Sequence, residues 1–174
     1  IVDGKSAKNA KKGDEVSVIV NQTPFYGESG GQVGDTGVMT SPEGAKLEVS
    51  NTLKKLGDMF VHTAKLVTGE ISLGDIVEMK VDSARRSGIR SHHSATHILH
   101  RALRDVLGDH VAQKGSLVET DRLRFDFAHP KSMGQDEISE VERMSNEIIV
   151  QNGEVITRLM GRDEAIDAGA MALF

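Results

Sequence analysis

Two histidines, His93 and His97, spaced four apart in H-S-A-T-H, are the residues of this chain best placed to do chemistry. On a helix, positions i and i+4 share one face a turn apart, so both imidazoles can reach one ion or one substrate. Zinc accepts neutral imidazole nitrogen at about 2.0–2.1 Å, but two ligands are half of a usual site. The first histidine is not followed by the glutamate of H-E-x-x-H, so the general base of a zinc protease is missing. His100 lies one turn further on nearly the same face and is a candidate ligand or proton carrier. Read as structure instead, such a residue is a hydrogen-bonded, partly buried histidine. His92 points away from this stripe and is expected to be exposed. Six of the seven histidines fall between 92 and 129.

A second cluster is T-P-F-Y-G-E-S-G-G-Q, Thr23 to Gln32, with Glu28, Gly30, Gly31 and Gln32 at its centre. It lacks the order of a dinucleotide fingerprint and the G-K-[ST] ending of a phosphate loop. Its glycines suggest a tight backbone excursion between strands, either a plain turn and bulge or a close approach to a ligand. A third segment, V-A-Q-K-G-S-L-V, offers Gln113, Gly115 and Ser116. No Ser-His-Asp order is recognisable, and without cysteine there is no thiol nucleophile.

The elements that must carry these groups change character along the chain. Up to about residue 81 the sequence reads as short strands divided by Gly, Asp and Pro turns: Glu15–Val20, Gly37–Thr40, Lys46–Asn51, Met59–Leu66 and Ile76–Val81. That spacing suggests a small barrel or sandwich. After Asp82 the period becomes helical. Asp82 or Ser83 caps a helix that Gly108 ends, and its stripe is Ile89, His93, Thr96, His100, Leu103 and Leu107. Histidine and threonine on the face that should be apolar break the pattern where function is expected. A hairpin, Val111–Leu117 with Arg122–Phe127, comes next. A helix Gln135–Gln151 ended by Gly153, a strand Glu154–Met160 and a short helix from Asp163 follow. The fold class is therefore α+β: a small N-terminal β-barrel over residues 1–84, then an α/β core over 85–174 with the long histidine helix packed on a sheet.

The 174 residues carry a net charge of −5, unevenly spread. Residues 80–131 hold 10 Lys/Arg against 6 Asp/Glu, and residues 132–174 hold 3 against 9. A basic zone in an acidic chain can bind a polyanion locally, with Arg85, Arg86, Arg90, Arg101 and Lys114 as its candidates; the plain alternative is solvated helix faces with ion pairs. No apolar run approaches the roughly 20 residues that cross a bilayer, so no membrane is expected. Zero cysteines fit a reducing compartment, and the cytoplasm is the expectation. The first residue is not methionine, and the chain closes on the apolar run G-A-M-A-L-F, which suggests a piece of a longer protein and a surface for self-association.

Together, Thr23–Gln32, the histidine motif with its continuation I-L-H-R-A-L, Gln113–Val118, Arg122–Phe127 and G-A-M-A-L-F resemble the editing domain of alanyl-tRNA synthetases, in order and over essentially the whole chain. The resemblance implies an aminoacyl-tRNA ester hydrolase that removes serine or glycine from tRNA(Ala). It implies zinc held by His93 and His97, with a cysteine and a histidine of a motif beyond Phe174. ATP would be used only by an aminoacylation domain ahead of Ile1. Thr96 and Gln113 would line the editing pocket, and Glu28, Gly30, Gly31 and Gln32 would sit at its entrance or support it. His92 departs from the family, which commonly has asparagine there. Free-standing alanyl-tRNA editing proteins and the editing domain of threonyl-tRNA synthetase share parts of this pattern. A non-catalytic tRNA-binding module and an unrelated metal hydrolase are the competing classes.

Overall fold

The computed structural model describes residues 1–2 and 4–170. The expectations resting on residues 171–174, including most of the terminal apolar run, lie outside the described residues. Among the described residues the architecture is mixed α and β, with several sheets and three helices. The chain divides into two compact units: residues 1–96 with 115–125, and residues 97–114 with 126–174.

In the first unit an antiparallel sheet of five strands carries the core. The strands are β2 (Glu15–Val18), β3 (Gly37–Thr40), β4 (Lys46–Lys55), β5 (Met59–Thr68) and β7 (Glu78–Val81), in the order β2-β5-β4-β3-β7. Two short strands, β1 (Asn9–Lys11) and β6 (Glu70–Ser72), pair beside it. Among the described residues no β2–β7 pairing closes the five strands into a ring. Alternate apolar side chains leave the sheet on one face, and Val16, Phe25, Met39, Ala45, Leu47, Val49, Ala64 and Leu66 form one buried cluster.

β4 runs four residues past the expected end at Asn51, for an identifiable reason. Val49 pairs with Ala64 but Asn51 pairs with Thr63, so Ser50 is an extra residue in a bulge. The bulge reverses the alternation and turns Thr52, fully buried, toward the same interior as Leu47 and Val49. A pattern search sees the alternation fail at that point and ends the strand. β5 likewise extends two residues further than read, and β2 and β7 are shorter.

The long helix α1 spans Ser83–Leu107, as its pattern required. The Asp82 carboxylate accepts a hydrogen bond from the Arg85 amide at 3.0 Å, which makes it the cap. At the other end Gly108 takes φ 113°, a conformation costly for other residues, and Arg104 binds the Asp109 and Val111 carbonyls. The hairpin forms from β8 (Gln113–Val118) and β9 (Leu123–Phe127).

The second unit contains α2 (Gln135–Gln151) and α3 (Arg162–Asp167). Glu137 reaches back to accept from the Gly134 amide at 2.8 Å, and this bond, with Lys131 beside it, holds its carboxyl below the usual range. Asn152, in the left-handed conformation, ends α2 one residue before the expected Gly153. The expected strand Glu154–Met160 is not one: it has no strand pairing among the described residues, and all seven of its residues are exposed. Alternation makes a strand possible, but only a partner for its backbone makes it a strand.

Candidate active site

The site begins with a loop that three elements hold in place. The segment Pro24–Asp35 is fastened to β4, because the Glu28 amide donates to the Thr52 carbonyl at 2.8 Å and the Thr52 hydroxyl donates to the Asp35 carbonyl at 3.0 Å. Toward β8 it pairs like a strand: the Val118 amide donates to Gly31 at 2.8 Å, and the Val33 amide to Val118 at 3.2 Å. Its third attachment is α1, where Arg85 donates to the Gly34 carbonyl at 2.8 Å and Arg86 grips Asp35.

Two glycines are required by these approaches. A Cβ on Gly31, whose φ is 83°, would lie 2.3 Å from the Ser116 carbonyl oxygen, and one on Gly34 would lie 2.0 Å from that of Thr52. Gly30 also takes a positive φ, but open space surrounds it.

The outcome is that Gln32, buried on this loop, meets His93 on α1. Gln32 Oε1 accepts from His93 Nδ1 at 2.7 Å. With the proton on Nδ1, the lone pair of the ring is on Nε2, the form that can take a proton or ligate a metal. His93 is exposed. The two strongest motifs of the sequence, 61 residues apart, thus share one hydrogen bond.

The remaining expected residues are distributed around this pair or away from it. Thr96 is buried, and its hydroxyl donates to the His92 carbonyl at 2.8 Å, which leaves its oxygen as an acceptor. His92 is half-buried and donates from Nδ1 to the Gly88 carbonyl at 3.0 Å, so the expected exposed neighbour is tied to its own helix. Glu28 is exposed, and its carboxylate accepts from Asn51 at 3.3 Å. His97 lies one turn beyond His93 on α1 and is exposed, whereas His100 is buried. Gln113 opens β8 and is half-buried. Of the basic candidates, Arg90 and Lys114 are exposed, Arg101 pairs with Asp105 at 2.9 Å, and Arg85 and Arg86 serve the loop.

Asp35 is the participant that reading the sequence missed. Its side chain is 2% exposed and engages Arg86, whose guanidinium pKa is raised by that bond. An aspartate inside Q-V-G-D-T-G looks like a turn residue, and only its burial marks it as more. Away from the site, a cavity of about 800 Å³ lies between Ile19–Pro24 and Gly74–Met79 and is not lined by Gln32 or His93.

The chain is similar to known proteins. Residues 1–85 match the family of tRNA synthetases class II (A). All 174 residues align with the alanine–tRNA ligase of Mesorhizobium japonicum at 59% identity, with that of Parvibaculum lavamentivorans at 59%, and with that of Bradyrhizobium diazoefficiens at 55%. Along its whole length the chain is similar to alanine–tRNA ligases. It spans about a fifth of their length, 20% of each.

Metal chemistry needs a separate test. Among the described residues no group of three or more His, Cys, Asp or Glu is arranged to hold an ion. His93 and His97 are donors of the right kind, but the described residues do not amount to a zinc site. No helix among them is long and apolar enough to cross a membrane.

Proposed function

We propose that this chain is the aminoacyl-ester-hydrolysing, or editing, part of an alanine–tRNA ligase, acting in the cytoplasm on tRNA(Ala) charged with serine or glycine. The observation that carries this reading is the Gln32–His93 hydrogen bond, which joins the two motifs the family resemblance singled out. An editing site is needed because an amino-acid pocket rejects a smaller or near-isosteric competitor by only about 1–3 kcal/mol.

The chemistry follows from the tautomer. His93 Nε2 is proposed to accept a proton from a water as its oxygen attacks the ester carbonyl. The bond between the carbonyl carbon and the tRNA ribose oxygen then breaks, and the proton passes to that oxygen. Free amino acid and uncharged tRNA leave. Thr96 and Gln113 are proposed to contact the aminoacyl group, and Glu28, Gly30 and Gly31 to shape its surroundings. Arg90 and Lys114, exposed and cationic, are proposed for the phosphate backbone. Zinc held by His93 and His97 would take the Nε2 lone pair in place of the proton, would need further donors from outside the described residues, and would itself polarise a carbonyl or a water in the role otherwise given to His93. Binding of ATP is assigned to none of these residues. The curvature expected of a barrel in residues 1–84, and self-association, belong to the same proposal and are read by small-angle scattering and sedimentation.

The deciding experiment offers seryl-tRNA(Ala) and alanyl-tRNA(Ala) to this chain, and to any longer natural polypeptide that contains it. Release of serine with alanine spared, lost on His93→Ala, is the expected result. Tight tRNA binding without release in either polypeptide would replace the hydrolase with a binding module, the reading that the basic zone alone favours.

A further inference from the structure

We propose that Asp35 and Arg86 are positioning residues, an ionic latch that sets the Gly-rich loop in register on α1 so that Gln32 selects the tautomer of His93. All four residues belong to the first unit. Arg86 and His93 are seven positions apart on α1, two turns along the same face and roughly 10 Å along the axis. Asp35 and Gln32 are three apart on the loop. Loop and helix therefore meet at two points, the ion pair and the glutamine–histidine bond.

The ion pair is built to hold a position. Arg86 Nε donates to both Asp35 carboxylate oxygens at 2.9 Å, Nη2 donates to one of them and to the Pro24 carbonyl at 2.9 Å, and the Tyr26 amide donates to the carboxylate at 2.6 Å. With Arg85 on the Gly34 carbonyl, both ends of the loop are tied to adjacent residues of one helix turn. Burying a carboxylate in this way is a poor route to stability, since an apolar pair of similar size often does as well or better. What a forked guanidinium supplies, and an apolar pair does not, is fixed direction.

The inference deepens the editing reading and rests on it for its purpose, yet its test does not require hydrolysis. Imidazole ¹⁵N spectra of the chain report which nitrogen of His93 carries the proton. The natural chain is expected to show Nδ1–H. Arg86→Lys keeps the charge but loses the fork, and the double variant Asp35→Leu with Arg86→Met removes the charges while keeping volume. Both are expected to give a mixture of His93 tautomers, the double variant at a melting temperature close to the natural one. Leu47→Ala, which weakens a buried cluster that does not include His93, should leave its tautomer unchanged. In deacylation the latch variants should lose about tenfold or more in kcat with a smaller change in KM. An unaltered His93 Nδ1–H signal in both latch variants overturns the proposal. A lost signal with no hydrolysis by the natural chain would keep the latch and remove the editing reading.

Discussion

His62 shows how a single buried side chain can organise a signature it is remote from in sequence. It is fully buried on β5, stacks edge-on against Phe25, and has a partner for each nitrogen. Nδ1 donates to the Val18 carbonyl at 3.0 Å, and Nε2 accepts from the Thr23 hydroxyl at 2.8 Å. Thr23 in turn accepts from the Phe25 amide, so the start of the Gly-rich signature depends on a neutral imidazole. Burial pushes the His62 pKa below its ordinary 6.5, and the Val18 bond only partly opposes this. The unfolded chain then binds the proton more readily than the folded one, so stability rises with pH. This contribution is complete above about pH 6.5 and is lost as pH falls through the lower folded value. Urea midpoints measured from pH 7.5 down to 5 should fall, and His62→Asn should flatten that part of the slope. A midpoint unaffected by acid in the natural chain would contradict the account.

Among the elements, turns and close approaches carry the strongest demands. Leu56, in the β4–β5 turn, takes φ 47°, with Gly57 at 85°, and its side chain is 92% exposed. Leu56 is the first of the three residues between Lys55 and Met59, and its left-handed conformation favours Asn over Leu. Leu56→Asn should therefore raise stability by about 0.5–1 kcal/mol, seen as a higher denaturant midpoint with unchanged slope. Gly31 is the opposite case. Alanine there meets both a positive φ and the Ser116 carbonyl, so a loss of about 2 kcal/mol or more is expected. Because Gln32 is the next residue, the same variant should lose the His93 Nδ1–H signal along with hydrolysis; retention of both would show that the loop reaches His93 by another route. Closing the sheet as a barrel would need a pairing between β2 and β7, which the described pairings do not include.

At the scale of the molecule, order is unequal. The first unit holds its core behind five paired strands, while in the second α2 buries only Val141, and the segment 154–160 is exposed throughout. Amide hydrogen exchange should be slowest in β4 and β5 and fastest across residues 154–160, since exchange follows buried contacts and paired backbone. Protection of 154–160 as strong as that of β5 would mean that those residues pair in solution after all. Periodicity and spacing alone determined the long helix, the strand-rich first half and the histidine pair, because all of these are written locally. Nothing local could show that Ser50 bulges, that Asp35 is buried, that Arg86 turns inward or that 154–160 lacks a partner. Each of those depends on which distant backbone or charge the fold brings alongside, and the pairing of Gln32 with His93 across 61 residues was likewise decided only by the tertiary structure.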